Sequence, residues 1–514
     1  MSFHDSICGQ IIRLISRGRY LGYTEQRDPS LVERFIDGSD PEKDFIFVDW
    51  WDERDPENPQ KWSLWKKIFV TFEICLLTFS VYIGSAIYTP GITTITKDFG
   101  ISSVTGTLGL TLYVAGYGLG PLLWSPMSEV PQIGRNPVYI ATLAVFVALQ
   151  VPTVLAGNLG TLLAFRFLSG FFGSPALATG GASIADMYKP AKRAYAIGIW
   201  GISAVCGPVL GPLVGGFAAQ ANGWRWTIWE LLWLSGFTLV FLFFLLPETS
   251  SANILYRRTR RLRKLTGQTN LKCQPQIESE GITAREVVMM ILVRPFTLNF
   301  TEPMVFLLNL YIALIYGLLY VWFESFPIVF EGIYHFNLGQ LGLAFLGILI
   351  GAFLVIPPYY YWIYKKVEPQ FDEGGHLSPE ARLPPALVGG CFIPICLFWF
   401  GWSARPSIHW IMPIIGSSYF SIGTFLLFNS VLNYLPDAYP DYAASVLAGN
   451  DLFRSALGAG FPLFASAMYQ NLGVGWASST LAFISIVFIP IPLVLMKYGG
   501  TLRKRFSRYA RTDI

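Results

Sequence analysis

Long apolar stretches without a single Asp, Glu, Lys or Arg recur along the whole chain. They cover residues 74–96, 99–128, 136–165, 194–224, 303–323, 332–364, 383–404, 406–436 and 455–496. A helix that crosses a lipid bilayer needs about 20 mostly apolar residues. The surface helix of a soluble domain would instead carry charged residues along one face. The pattern therefore predicts membrane-spanning helices.

The apolar windows between charged, Gly and Pro residues predict twelve spans. Six precede a polar central segment, at 68–88, 104–124, 137–156, 161–184, 194–219 and 226–246. Six follow it, at 301–323, 338–362, 385–402, 410–433, 442–466 and 475–496. The predicted fold is an all-α polytopic membrane protein. Its parts are an N-terminal tail (1–67), a six-helix half (68–247), a central loop (248–300), a second six-helix half (301–496) and a C-terminal tail (497–514).

The composition agrees with a membrane protein. Of the 514 residues, 53% are hydrophobic and 14% are charged, and the mean hydropathy is +0.46, whereas soluble domains are about a quarter charged. This excludes a soluble enzyme, a nucleic-acid binder and a disordered chain. The six cysteines form no CxxC pair and no zinc-type spacing, so we expect reduced packing residues, no metal and no cofactor.

The placement of basic residues predicts the orientation. Most of the 37 Lys and Arg residues lie in the two tails, the central loop and the other loops on that same side. Because cytosolic loops are enriched in Lys and Arg, we expect both termini and the central loop in the cytosol. Trp224, Trp322 and Trp410 lie near predicted span ends, where tryptophan favours the membrane–water interface.

The fifth span carries a repeated glycine pattern. Gly207, Gly211 and Gly215 are spaced four residues apart and share one helix face, and the same motif contains Pro208, Pro212 and Gly216. Small residues at this spacing let two helices approach closely in lipid, and the prolines bend the helix. The motif predicts either a packing face or a kinked helix on which one half of the protein moves against the other. These interpretations are compatible.

Here the sequence resembles a known family. The glycine stripe is similar to the antiporter signature of the major facilitator superfamily. Further similar elements are Gly120-Pro121 to Glu129 followed by Gly134-Arg135, the Arg166 to Gly170 element, Asp55 to Trp62, Pro247-Glu248-Thr249, and Asn450-Asp451 to Arg454-Ser455. The loop after the second span departs from the family pattern, because it has Glu129 where Asp is usual and extra residues before Gly134.

Together the motifs resemble the fungal twelve-span drug:proton antiporters of the multidrug-resistance and toxin-export type. The resemblance implies the major facilitator fold, with twelve helices in two six-helix halves. It also implies export of hydrophobic small molecules in exchange for protons by alternating access. Glu129, Gly134 and Arg135 would then form a cytosolic gate loop, whose acid contacts the end of the eleventh span in one conformation. Arg166 would lie in the cavity of the first half and help to couple proton movement to transport.

Charged residues inside the predicted spans are the candidates for mechanism, because a buried charge in a membrane is costly and usually functional. Asp451 and Arg454 are three residues apart and can pair on one helix face; they are either a structural or gating pair or substrate contacts. Arg166 has no acid within one turn, so it needs a carbonyl, water or another helix, and it acts either in coupling or as an anchor. Glu230 is either the proton-binding acid or a solvated interfacial residue.

The aromatic content of 16% suits a cavity for flat, apolar compounds as well as lipid-facing surfaces. In the seventh span, Asn309, Tyr311 and Tyr316 are the candidate residues of a substrate cavity. The expected partners are a hydrophobic small molecule, protons and membrane lipids. We expect a monomer in the plasma membrane.

Other functions remain open at this point. Proton-coupled uptake of a small nutrient is the alternative within transport, and a non-transporting membrane receptor is a further one. A membrane enzyme is disfavoured, because the four histidines are scattered along the chain and no nucleophile or phosphate-binding motif is present.

Overall fold

The computed structural model describes residues 5–16, 19–27, 36–37, 45–51, 55–281, 284–372, 374 and 376–510. Among these residues, ten helical stretches are long and apolar enough to cross a membrane. Ser103–Glu129 is a further helix of 27 residues. The last of the ten stretches contains two spans, because Gly473 has non-helical backbone angles, with φ 75° and ψ 158°. The described residues therefore form twelve spans, and the all-α membrane fold is confirmed.

The first half contains spans one to six. Their helices are Leu64–Ala86, Ser103–Glu129, Arg135–Val154, Leu159–Gly173 with its continuations Pro175–Ala178 and Gly180–Met187, Pro190–Asn222 and Trp224–Leu245. Side-chain caps begin three of them: Ser63, Ser102 and Asn158 each accept a hydrogen bond from a backbone N–H of the first turn. These caps satisfy donors that a helix start leaves unpaired.

The second half contains spans seven to twelve. Their helices are Pro303–Phe326, Leu338–Ala344 continued by Leu346–Trp362, Pro384–Ser403, Ile411–Ala438, and 443–472 and 474–488 on either side of Gly473, the last being followed by Pro490–Phe506. Gly223 joins spans five and six with φ 77°, and Gly473 joins spans eleven and twelve with φ 75°. Both tight connections need a positive φ that glycine tolerates, and they occupy the same position in each half.

The N-terminal, central and C-terminal segments meet the membrane helices on one side, which we call the terminal face. The central segment contains the helices Ser251–Thr266, Gln274–Glu280, Ala284–Val288 and Arg294–Thr301. Shorter N-terminal helices are Ile7–Ile15 and Thr24–Arg27. Strand β1 (Ile36–Asp37) pairs antiparallel with β2 (Ile46–Val48), which pairs in parallel with β3 (Leu271–Lys272). This small sheet ties the N-terminal segment to the central one.

A buried ion pair reinforces this connection. Arg258 of the central segment donates to both carboxylate oxygens of Asp55, at 2.6 and 2.9 Å, and both side chains are fully buried. Arg261 pairs with Glu25 at 2.7 Å and with Glu57 at 2.8 Å. Bidentate arginine–carboxylate pairs fix orientation as well as position. The segments on the terminal face therefore form an ordered assembly.

The prediction that three tryptophans near span ends face the membrane–water interface is wrong for two of them. Trp410 is 40% exposed, but Trp224 is only 2% exposed and Trp322 only 1%. The indole N–H of Trp224 donates to Asp98 at 2.9 Å. Trp322 packs edge-on against Phe400, with ring centroids 4.6 Å apart. Both rings face neighbouring helices, because position near a span end does not determine which side of the helix a residue occupies.

Candidate functional site

A cavity lies between the two halves near the middle of the spans. Spans one, four and five contribute Tyr82, Leu177 and Trp200 to its wall, and spans seven and ten contribute Tyr316 and Phe428. Apolar and aromatic side chains therefore form most of its surface. Such a wall suits a flat hydrophobic ligand.

A second, larger cavity continues from it to the terminal face. The two share Leu177, Trp200 and Arg454 in their walls. The larger cavity extends to Glu129 and Asp437 at the ends of their helices. We call the smaller one the central cavity and the larger one the vestibule.

Asp451 and Arg454 lie on the eleventh span where the two cavities meet. The Arg454 guanidinium donates to the Asp451 carboxylate at 2.6 Å, and the residues are 6% and 8% exposed. The guanidinium also lies over the ring of Tyr316, 5.4 Å from its centroid. Because a buried charge needs a partner, this contact lets both charges stay inside the membrane region beside the two cavities.

Four tyrosine hydroxyls join the halves on the other side of the central cavity. Tyr316 is bonded to Tyr82 at 2.6 Å and also to Tyr117, and Tyr117 is bonded to Tyr320 at 2.6 Å. Tyr320 donates to Ser85 at 3.2 Å. Tyr82 and Tyr117 belong to the first half, whereas Tyr316 and Tyr320 belong to the second. We call these four residues the tyrosine cluster.

Further contacts close the path between the tyrosine cluster and the face opposite the terminal face. Thr111 donates to the carbonyl of Ala459 at 3.0 Å, and Thr107 donates to Glu324 at 3.3 Å. Each bond joins the second span to a span of the other half. The central cavity is thus closed toward the opposite face and continuous with the vestibule, which is one of the two states that alternating access requires.

The glycine stripe of the fifth span packs against the backbone of the first span. A Cβ atom on Gly207 would lie 2.6 Å from the Cβ of Tyr82, and one on Gly211 would lie 2.7 Å from the Cβ of Ala86. Gly215 faces the carbonyl of Ile87. The motif therefore permits close packing inside the first half, while Pro208 and Pro212 lie within the same helix.

Gly216 differs from the rest of the stripe because it faces the second half. A Cβ there would lie 2.5 Å from the carbonyl oxygen of Leu338 in the eighth span. From the other side, a Cβ on Gly342 would lie 2.7 Å from the carbonyl oxygen of Pro212. The fifth and eighth spans are therefore in direct backbone contact near the opposite face.

Arg166 is fully buried and makes its hydrogen bonds to backbone carbonyls. It donates to Gly109 at 3.0 Å, to Gly84 at 2.8 Å and to Ser85 at 3.5 Å. Its guanidinium also lies over the ring of Tyr113, 4.4 Å from the centroid. It lines neither the central cavity nor the vestibule. The side chain joins spans one, two and four, and carbonyls replace the acid that the sequence lacks nearby.

The predicted gate loop is held by the end of the sixth span. Glu248 accepts the backbone N–H groups of Arg135 at 3.1 Å and Asn136 at 3.2 Å. Gly134 has φ 83°, and the Arg135 side chain pairs with Asp186 at 2.6 Å. Burial raises the pKa of the Glu248 carboxyl, although Arg257 and the surrounding backbone N–H groups oppose the shift. Gly134 and Arg135 thus sit in an anchored turn.

Glu129 faces the vestibule together with the start of the eleventh span. Ala443, Leu447 and Asp451 line the same vestibule wall. Glu129 and the start of the eleventh span therefore line one cavity.

Three other candidates lie away from the central cavity. Glu230 is partly exposed on the sixth span and lines neither cavity. Asn309 donates to Asn299 at 2.6 Å and accepts from Asn450 at 2.8 Å. Tyr311 stacks on Phe488, with centroids 5.5 Å apart.

Helix geometry explains why only Tyr316 of the seventh-span candidates reaches the cavity. Asn309 lies on the same helix face as Tyr316 but about 10 Å nearer the terminal face, because a helix rises 1.5 Å per residue. Tyr311 lies about 140° around the helix from Tyr316. Counting aromatic residues in a span gives neither depth nor direction.

Several residues of the site are not among those predicted from the sequence. They are Tyr82, Tyr117, Asn429 and Trp200 around the central cavity, and Arg193, Arg382, Asp437 and Asp186 near the terminal face. The available signal was the face shared by Tyr316 and Tyr320, which are four residues apart. The partners from other spans are too far away in sequence for any spacing rule to reach.

A sequence profile of the Major Facilitator Superfamily matches residues 74–462. The chain belongs to this superfamily. It is 49% identical over 471 residues to a Schizosaccharomyces pombe protein named "Transporter mfs1". The alignment covers 90% of this chain and 88% of that protein. It is 43% identical to the "Cycloheximide resistance protein" of Candida maltosa, with 92% and 87% covered.

Two further similarities complete the comparison. The "Fluconazole resistance protein 1" of Saccharomyces cerevisiae is 43% identical, with 91% of this chain and 86% of that protein covered. Among solved structures, the xylose transporter of E. coli superposes with a TM-score of 0.57 at 15% identity, covering 84% of this chain and 99% of that one. At that identity the similarity concerns the fold, and it supports the major facilitator fold predicted for this superfamily member.

Proposed function

We propose that this major facilitator protein exports hydrophobic small molecules from the cell in exchange for protons. One observation carries the proposal: a largely apolar, aromatic cavity between the halves has Arg454 in its wall, and Arg454 is paired with Asp451 of the adjoining vestibule wall. The relatives named for resistance to cycloheximide and fluconazole support a toxic, hydrophobic substrate. The terminal face is cytosolic in this proposal, the membrane is the plasma membrane and the protein acts as a monomer.

The mechanism follows from the state of the two cavities. A substrate enters the vestibule from the cytosol and reaches the central cavity, where aromatic rings bury its apolar surface. The bonds of the tyrosine cluster then break, and the halves close at Glu129 and the eleventh span instead. Release to the outside follows. Asp451 carries the inward proton. After substrate release its carboxylate leaves Arg454 and is protonated from the outside, and the proton is released to the cytosol when the cavity again opens there and the pair re-forms.

Purified protein in sealed liposomes tests this proposal. An acidic lumen should drive a radiolabelled hydrophobic substrate such as cycloheximide into the liposomes, and adding substrate should raise the lumenal pH. Proton-coupled uptake requires the reverse, with substrate entering alongside protons from an acidic outside. Accumulation that follows the external acid, or that ignores both gradients, overturns the antiport proposal.

Two carboxylates allow a matched pair of variants. Asp451→Asn removes the titrating group from the vestibule wall but keeps a side-chain carbonyl oxygen that can accept from Arg454. It should abolish accumulation driven by the proton gradient while leaving exchange of substrate against substrate. Glu230→Gln makes the same chemical change on the sixth span, away from both cavities, and should behave as the wild type. If Glu230→Gln uncouples transport and Asp451→Asn does not, the proton is carried by Glu230.

Expression tests the direction in cells. In a host without its own pumps, the protein should lower retention of hydrophobic toxins, and a protonophore should restore retention. A fluorescent tag on either terminus should be found at the plasma membrane. Only a quencher added to the cytosolic side should reduce its fluorescence. Unchanged retention for every compound counts against export.

A further inference from the structure

Two buried polar atoms in the wall of the central cavity have no hydrogen-bond partner among the residues that the structure describes. They are the side-chain carbonyl oxygen of Asn429 and the Nε atom of Arg454. Both residues line the cavity, and their side chains are nine-tenths or more buried, with 3% and 6% exposed. Most buried polar groups in proteins are paired, so such exceptions need an explanation.

The orientation of the Asn429 amide is fixed by its own helix. Its Nδ2 group donates to the carbonyl of Phe425 at 2.9 Å. Turning the amide over would place two carbonyl oxygens against each other, so the oxygen remains on the other side of the amide. The amide nitrogen is the atom nearest Gly201 of the first half, where a Cβ would lie 3.6 Å from Nδ2. Asn429 therefore stands at the boundary between the halves and offers one acceptor, its amide oxygen, in the wall of the central cavity.

Arg454 offers a donor. Another of its nitrogens bonds Asp451 at 2.6 Å, while the Nε–H has no partner among the described residues. Because Asp451 compensates the positive charge, this donor does not require an anionic ligand. The ring of Phe428 lies beneath the guanidinium, 6.0 Å from it. A flat ring beside Phe428 would bring a carbonyl-type acceptor toward the guanidinium.

We propose that Asn429 and Arg454 form a donor–acceptor recognition site for neutral, flat, ring-containing substrates. The Arg454 Nε–H binds a carbonyl-type oxygen of the substrate, and the Asn429 oxygen binds an N–H or O–H group. Both atoms are covered by protein in this state, so the side chains that cover them move aside before bonding. The inference rests on the proposed function, because it names the substrate class of the same cavity.

A series of three fluorescent tricyclic compounds tests it. Acridone has one carbonyl and one N–H group, N-methylacridone has only the carbonyl, and anthracene has neither. Dissociation constants are measured by fluorescence titration of the full-length protein in detergent, after correction for partition into protein-free micelles. Because a hydrogen bond is worth about 1 kcal/mol, each lost group should weaken binding about three- to tenfold.

The affinity falls in two steps, from acridone to N-methylacridone and from N-methylacridone to anthracene, and variants assign each step to one residue. Asn429→Leu should make acridone and N-methylacridone bind equally while preserving the preference of N-methylacridone over anthracene. The double variant Asp451→Asn with Arg454→Met removes the charge pair together, which avoids a lone buried charge, and should abolish that second preference. Each variant thus loses one step of the series and keeps the other.

Gln150 provides a matched control. Its Nε2 group also donates to a carbonyl of its own helix, Phe146 at 2.8 Å, and its oxygen is also unpaired, but it lines neither cavity. Gln150→Leu should keep both steps of the series. Loss of a step in Gln150→Leu would overturn the proposal, because the effect would then come from general loosening of the protein.

The wild type gives the decisive results. Equal binding of the three compounds overturns the site, and so does a proportional weakening of all three in Asn429→Leu, which would indicate packing alone. Binding is measured without a gradient, so the two proposals fail separately. If the protein discriminates among the three compounds but shows no gradient-driven transport, the recognition site stands and the antiport proposal falls. If it shows antiport but binds the three compounds equally, the antiport proposal stands and the recognition site falls.

Discussion

The hydroxyl oxygens of Tyr82 and Tyr316 lie 2.6 Å apart, although the two residues belong to different halves of the protein. Tyr82 is on the first span, Tyr316 is on the seventh, and both line the central cavity. Any movement that opens the cavity toward the opposite face has to separate these two oxygens. The bond is therefore part of what holds the present state closed.

Tyr316→Phe should favour opening toward the opposite face. The change removes the bonds to Tyr82 and Tyr117 but keeps the ring, and a net loss of about 1 kcal/mol per bond would shift the equilibrium about five- to thirtyfold. Spin-label distances across the opposite face, measured by double electron–electron resonance, should show a larger open population.

Tyr113→Phe is the control for that measurement. Its hydroxyl donates to the carbonyl of Val81 at 2.7 Å, so the bond lies within the first half. It should cost stability without changing the distance distribution. Equal distributions for Tyr316→Phe and wild type would show that the tyrosine cluster does not hold the halves together.

Gly211→Ala should destabilise the first half. The new methyl group would lie 2.7 Å from the Cβ of Ala86 and 2.8 Å from the backbone N of Ile87. Neither neighbour can rotate away, so we expect a loss of about 1–3 kcal/mol and reduced transport. Thermal unfolding in detergent measures the stability. Gly236→Ala on the sixth span is the control, because its Cβ would meet nothing within 4 Å; an equal effect of both changes would contradict the packing argument.

The sequence was sufficient to predict the fold and the twelve spans because charge is excluded from the bilayer, so the pattern of charges records the spans directly. The pairing of Asp451 with Arg454 was also predictable, because both residues are on one helix turn. Similarity to a known motif identified the glycine stripe, but only the structure shows that it packs against Ala86 on the first span. Local spacing contains no information about that partner.

Relationships between distant helices account for what the sequence did not reveal. The tyrosine cluster combines residues of three spans, and the side on which Tyr311 faces depends on how the seventh span is rotated. Arg166 illustrates the same limit: its partners are backbone carbonyls, which every residue possesses and which no side-chain pattern marks. Depth and rotation of helices come from packing, which one sequence does not display.

Glu248→Gln should weaken the attachment of the gate loop. The carboxyl group accepts backbone N–H groups through both oxygens. An oxygen can accept whether or not the group is protonated, whereas the amide nitrogen of Gln is only a donor and would face one of these N–H groups. We expect a loss of about 1–3 kcal/mol, measured as a lower unfolding temperature in detergent.

The pH dependence of the same variant adds a second measurement. Because burial raises the pKa of Glu248, the ionised form is the penalised one, and this residue's contribution to stability should fall as pH rises through the raised pKa. Glu248→Gln should lack that slope, so the advantage of the wild type should narrow as pH rises from about 4.5. An advantage that widens with pH would contradict the assignment.

Arg166→Ala should abolish export by removing the link among spans one, two and four. The guanidinium bonds the carbonyls of Gly109, Gly84 and Ser85, and unpaired buried carbonyls cost about 1–3 kcal/mol each. The variant should insert into the membrane but unfold at a lower temperature. Arg166→Lys keeps the charge with fewer donors, so its unfolding temperature should fall between those of the wild type and Arg166→Ala.

Arg225→Ala is the control, because Arg225 and its partner Asp98 are each 46% exposed and such surface pairs contribute little. If Arg166→Ala lost proton coupling at wild-type stability, Arg166 would act in coupling rather than as a structural link.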